Sequence, residues 1–188
     1  MNGTPLDFVR KLDRIITALQ TDNKPFKQAV QDIHVMRMRR IFQQGEKADG
    51  SPIGSYSTRP FYMNPKNSPK KFSGKGKNDK RSNKTHATRY FAGGYKEFRG
   101  FIGRPNTHVD LGLTYDLRFD ISNSKNLNSA RPDKISNNEY QERIKRPLNL
   151  KKLNGIEDKY GNVFGFSQKE RSEFQRIFNF YISQLLNK

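Results

Sequence analysis

The side chains able to do acid–base, metal or nucleophilic chemistry are few in this chain and stand far apart. His34, His86 and His108 share no metal-ligand spacing. Cysteine is absent, which excludes a disulfide, a thiolate zinc site and a thiol nucleophile together. Asp110, Asp116 and Asp120 come nearest to a carboxylate cluster, but Arg118 lies among them, so they read as a solvated face with a local ion pair rather than a metal or acid–base site. Gly45 and Gly50 are spaced like the glycines of a phosphate loop and Ser51 follows, yet the lysine needed directly after the second glycine is missing. Gly74-Lys75-Gly76-Lys77 lacks both that spacing and a preceding strand. No catalytic, cofactor-binding or metal-binding residue is expected, and the chain reads as a non-enzyme that needs no cofactor.

Charge is the dominant chemical feature. Thirty-six Lys and Arg stand against 18 Asp and Glu in 188 residues, a formal charge of +18, which is more than solubility requires and implies a polyanion or an acidic protein surface as partner. Between positions 66 and 89 lie nine basic residues, Lys66, Lys70, Lys71, Lys75, Lys77, Lys80, Arg81, Lys84 and Arg89, and a single acid, Asp79. These are the candidate partner or DNA contacts. Small polar residues separate them instead of a regular series of aromatics, which favours backbone electrostatics over base reading.

Positioning elements follow from periodicity. Thr4-Pro5 is a cap and first-turn pair, and Leu6, Val9, Leu12, Ile15, Ile16 and Leu19 repeat at helical spacing. A second helix is predicted from about Asn23 and Pro25, with Phe26, Val30, Ile33, Met36 and Ile41 inward and a left-handed stop at Gly45. Arg37, Arg39 and Arg40 in its last turns complement the helix dipole. From about 46 to 108 the periodicity vanishes, so this stretch is expected to be an extended basic loop that orders against a partner, with Phe61, Tyr62, Phe72, Tyr90, Phe91 and Tyr95 anchoring its edges. Strict alternation from Val109 to Ile121 predicts a half-buried strand, although Leu113, Leu117 and Ile121 are also spaced for a helical turn. Ser167 and Glu170 form a capping box before the apolar stripe Phe174, Ile177, Phe178, Tyr181, Ile182, Leu185 and Leu186.

The sum is one α+β domain over 1–188, with two or three helices packed on one face of a small, mainly antiparallel sheet and a long basic loop. Mean hydropathy of −0.97 implies a modest core. Neither a secretory leader nor a membrane-spanning stretch is seen.

Taken in order, several short motifs carry a resemblance. They are Arg40-Ile41-Phe42-Gln43-Gln44-Gly45, Asp49-Gly50-Ser51-Pro52-Ile53-Gly54-Ser55-Tyr56, Gly93-Gly94-Tyr95-Lys96-Glu97-Phe98-Arg99, Val109-Asp110-Leu111, Leu113-Thr114-Tyr115-Asp116-Leu117-Arg118, and Lys159 through Ser167 with Glu170-Arg171. Their succession resembles the phage virion-morphogenesis and tail-completion proteins, the neck or head-to-tail connector family. Gly45, Gly50 and Gly54 match the turn glycines of that pattern, whereas Tyr115 stands where the family usually has Gly, before a short helix and a strand. The resemblance implies a structural virion protein, assembled in the host cytoplasm. It would form a homo-oligomeric ring at the head-to-tail junction, between the portal and adjacent connector or tail ring proteins, with non-specific genomic DNA contact as an option and no membrane. The competing expectation from charge alone is a basic nucleic-acid-binding or phage assembly protein.

Overall fold

A computed structural model describes residues 5–21, 23–64, 67–70, 88–112, 115–136 and 138–186. Helix α1 spans Pro5–Thr21, α2 Lys24–Arg39, α3 Gly94–Phe101, α4 Asp116–Ser122, α5 Pro147–Tyr160 and α6 Gln168–Leu186. Strands β1 (Phe61–Met63) and β2 (Arg89–Phe91) pair antiparallel, as do β3 (Asp133–Ser136) and β4 (Glu139–Gln141). The fold is therefore α+β, and among the described residues its strands form two separate ribbons rather than one sheet.

The reason lies at 109–121, the stretch that alternates like a strand. Val109 and Leu111 lie in irregular chain, and Asp116–Ser122 is helical. Leu117 and Ile121, one helical turn apart, fill the core while Phe119 is half-buried. Alternation specifies a strand only where a partner strand accepts it, and here the packing rewards spacing by four. Tyr115 (φ +62°) and Asn123 (φ +50°) bracket this helix in the left-handed region. Glycine would adopt that conformation without strain, and Tyr115 occupies it with the guanidinium carbons of Arg104 and Arg118 at 4.0 and 4.2 Å from its ring centre. Cation–π attraction to the two guanidiniums offsets part of the strain.

Helix α2 is the axis of the molecule. The Asn23 side chain caps it by accepting the Phe26 N–H at 3.2 Å, with Pro25 in the first turn. Past Arg39 the helix widens into one π-helical turn, Arg40–Gln44, and stops at Gly45 with φ +70°. Met38, Ile41 and Phe42 from this end pack with Ile53, Val109, Leu117 and Val163 in the main core. Ala29 and Ile33, nearer its start, pack with Ile177 of α6 in a second, smaller cluster. Helix α1 is amphipathic as the spacing predicts, but only Ile15 is buried; Leu6, Val9, Leu12 and Ile16 stay exposed.

The stretch 46–108, expected as a loop, contains β1, β2 and α3, elements of three to eight residues that are too short to establish a period. Its aromatics pack on one another: Phe61 stacks on Phe91 at 5.8 Å, and Phe98 meets both edge-on. Phe72 lies outside the described residues.

Gly45 accounts for the sharp turn out of α2. A Cβ there would sit 2.7 Å from the Val109 carbonyl and from the His108 ring, whereas a Cβ on Gly50 (φ +81°) would meet nothing within 4 Å. Gly45→Ala is expected to cost about 3 kcal/mol, left-handed strain plus overlap, and Gly50→Ala about 1 kcal/mol, strain alone. Urea unfolding midpoints of the two variants check the difference.

Candidate interaction site

Three arginines of the core hold the motif segments together. Arg40, at the start of the π turn, donates from Nε to Glu170 Oε1 (2.8 Å), from one terminal nitrogen to the carbonyls of Glu46 (2.9 Å) and Val163 (3.2 Å), and from the other to Gly165 (2.8 Å). Glu170 is the second half of the predicted capping box: its Oε2 accepts the Ser167 N–H at 2.8 Å, and its own N–H donates to Ser167 Oγ at 3.2 Å. Both charges are buried, so each needs every one of these bonds to replace lost hydration.

Arg99 on α3 is the second. Its terminal nitrogens donate to Asp110 Oδ1 at 2.6 Å and to the Gly112 carbonyl, its Nε to the Pro105 carbonyl at 3.0 Å, and Arg99 and Asp110 are each 1% exposed. The Tyr56 hydroxyl also donates to Asp110 Oδ1 (2.9 Å), and its ring lies 4.7 Å from the Arg99 guanidinium carbon. Burial pushes the Tyr56 hydroxyl well above its ordinary pKa. Asp110 is thus a core anchor and not one of a solvated row. Asp120 accepts the backbone N–H groups of Lys145 (3.1 Å) and Arg146 (3.0 Å), and Asp116 pairs with Arg146.

Arg37, one turn before Arg40, is the third, and it opens onto the surface. It donates to Glu142 and lies 4.2 Å from the centre of the Phe166 ring. His34 Nδ1 stands 2.5 Å from the same Glu142 oxygen. Burial first, and the charge of Arg37 second, push the His34 imidazole down to about 4, so at neutral pH it is an uncharged Nδ1–H donor to Glu142. Burial lowers Arg37 to about 10, opposed by Glu170, and it stays a cation. These groups floor a groove of about 580 Å³ between α2, α6 and the β3–β4 ribbon, walled by Phe26, Val30, Phe166 and Phe174. His34 Nε2 and Arg37 Nε at that floor have no hydrogen-bond partner among the described residues.

Of the sequence-predicted contact residues, Lys70 and Arg89 both engage Phe101. Lys70 Nζ donates to its carbonyl at 3.1 Å, and the Arg89 guanidinium carbon lies 4.0 Å from the centre of its ring. Lys66, Lys71, Lys75, Lys77, Lys80, Arg81 and Lys84 lie outside the described residues, as does His86. Gly45, Gly50 and Gly54 all carry positive φ, with Gly54 against the Tyr160 ring. Composition hid the tertiary use of Arg37 and Arg40, which the dipole reading treats as local; only Arg39 is exposed, donating to Asn128 Oδ1. The one sequence signal for their partners was the capping box itself. Among the described residues no group of three or more His, Asp or Glu is placed to hold a metal ion, and no helix is long and apolar enough to cross a membrane.

Two expectations follow. Arg40→Met alone strands Glu170 and should cost about 3–5 kcal/mol, whereas Arg40→Met with Glu170→Met should cost less than the single change; a double-mutant cycle by denaturant unfolding measures both. The pKa of His34 is depressed in the fold, so the stability it contributes is present above about 6.5 and is lost as pH falls toward about 4. That loss, on the order of 3 kcal/mol, should be largely absent in His34→Gln when the two proteins are compared across this pH range.

The chain matches no family model, no curated protein and no solved structure.

Proposed function

We propose that this chain is a non-enzymatic structural subunit of a tailed-phage virion, one copy of a homo-oligomeric ring at the head-to-tail junction, seated between the portal and the next connector or tail ring. The observation that carries the reading is where the motif residues fall. Arg40 and Gly45, Arg99, Asp110, and Val163 with Ser167 and Glu170 come from four separate motifs, and they meet in the two buried arginine–carboxylate pairs. Several residues that carry the resemblance to neck and tail-completion proteins are thus residues on which this fold is built, and this supports the reading. Both ion pairs are buried, and their hydrogen bonds are made within the chain.

A ring subunit works mechanically: it must hold its own shape while presenting surfaces to identical neighbours and to the rings above and below. The charge of +18 suits docking onto acidic portal or tail surfaces and fixes register more than affinity. The same charge favours one other reading, a basic nucleic-acid-binding or assembly protein.

Quantitative mass spectrometry of gradient-purified virions separates the two. A small, fixed copy number relative to the portal is expected; absence from complete particles overturns the neck reading. In that case binding to free DNA that weakens steeply with salt would assign the chain to the second class.

A further inference from the structure

The chain from Ser55 to Arg59 borders a cleft of about 750 Å³, with the start of α3, the turn at Asn106 and Thr107, and the end of α5 around it. Its cations are Arg59, Lys96 and Lys159, each exposed and each from a different segment, and no carboxylate lines it among the described residues. Glu97 and Asp158, the acids next in sequence, are outside it, and Glu97 accepts the Gly93 N–H at 2.7 Å. None of the three cations pairs with a carboxylate among the described residues, whereas Arg37, Arg40 and Arg99 each meet one. The rest of the polar lining is hydroxyl and amide, which donate as well. Three uncompensated cations with neutral donors between them suit an anion. Gly94 (φ +69°) brings the segments together: a Cβ there would sit 2.5 Å from the Thr58 backbone, and the Lys96 N–H donates to the Ser57 carbonyl at 3.1 Å.

Three residues after Arg59, within about 11 Å along the chain, stands Tyr62. It faces Tyr90 in the β1–β2 register with ring centres 5.0 Å apart, and the two are 50% and 48% exposed. Phe61 and Phe91 take the inner face of the ribbon, so its outer face is an aromatic pair open to solvent. The sequence that joins β1 to β2 carries eight Lys and Arg against Asp79 alone. We infer that this surface binds single-stranded nucleic acid, with phosphates at Arg59, Lys96 and Lys159 and a base stacked on the Tyr62–Tyr90 pair.

Charge complementarity selects a polyanion, and the aromatic pair selects among polyanions. In a single strand every phosphate comes with a base whose face is free to stack; in a duplex that face is covered by the neighbouring pairs. An acidic protein surface supplies the negative charge without a regular series of flat rings. A cationic groove beside exposed aromatics holds a strand without reading its sequence, in keeping with the small polar residues that separate the cations of the basic run. A cross-strand aromatic pair also steadies a two-stranded ribbon, but that role leaves the cations of the cleft without a use. The surface stands independently of the neck reading: a chain found in virions keeps that reading with or without this binding, and a chain absent from virions that shows it loses only the neck.

The test uses the full chain with short oligothymidylate and oligouridylate carrying one iodouracil, the tighter binder of the two naming the sugar. Irradiation joins the iodinated base to a ring stacked on it, and the adducts should map to the peptides containing Tyr62 or Tyr90. Tyr62→Val with Tyr90→Val keeps strand propensity while removing both rings, and should weaken binding about tenfold or more. Lys96→Gln with Lys159→Gln, at exposed helix positions, should lower the slope of log affinity against log salt by about 0.7 for each lysine removed. Lys24→Gln, on α2 and outside the cleft, should leave that slope unchanged. Should the tyrosine variant fail to fold, the adduct map and the lysine variants decide. Adducts confined to positions 66–84 or to other surfaces, a slope untouched by the paired lysine changes, or a duplex of equal length bound as tightly as the single strand would each overturn the inference. So would the absence of binding at low salt, which would leave the positive charge to an acidic protein.

Discussion

Two opposite charges taken out of water stand at the centre of this protein. Arg40 and Glu170 are both buried, and removing such a pair from solvent costs more than its mutual attraction returns unless the remaining hydrogen-bonding capacity is also met. Here it is met by the carbonyls of Glu46, Val163 and Gly165 and by the N–H of Ser167. The end of α2, the turn after Gly45, the loop before α6 and the first turn of α6 must therefore all be in place together. A partly assembled version would leave a buried charge unsatisfied, so the pair acts as an all-or-none clamp.

A second buried pair is built around Arg99, with Asp110 Oδ2 left without a hydrogen-bond partner among the described residues. Asp110 and the Pro105 and Gly112 carbonyls accept from one guanidinium, and the Tyr56 hydroxyl donates to Asp110; this joins α3 and the chain after Gly54 to the segment leading into α4. Between them the two clamps organise long irregular stretches that have little regular secondary structure of their own. With mean hydropathy of −0.97 the apolar core is small, and directed bonds from arginine to backbone carbonyls take over part of the work of specifying how loops pack. Arg37 differs from both in that its surroundings open outward, and it leaves two polar atoms unsatisfied at the floor of an apolar groove.

Local features were legible because they depend on neighbours in sequence. The Asn23 cap, the left-handed stop at Gly45, the Ser167–Glu170 box and the stripes of α2 and α6 are each decided within a turn or two of chain. The alternation from Val109 to Ile121 was misleading because a period of two becomes a strand only when another strand pairs with it, and the core offers Leu117 and Ile121 a helical fit instead. Strands of three residues and a helix of eight inside 46–108 gave no period to read. At the site, the carboxylate of Glu170 was visible as a cap and the arginines as dipole partners, but not as partners of each other.

By itself, then, the amino-acid sequence determined helices α1, α2 and α6, the caps of α2 and α6, the positive field and the α+β class, since propensity, capping and net charge are sums over nearby residues. Tertiary structure alone decided which of the many cations are buried and which carboxylate each one meets. Arg40 and Glu170 are 130 residues apart, Arg37 and Glu142 are 105, and no local rule selects one acid for one base across such distances. That choice is made by burial, which makes an unpaired charge costly and so forces each arginine onto the partner that the packing of helices brings within reach.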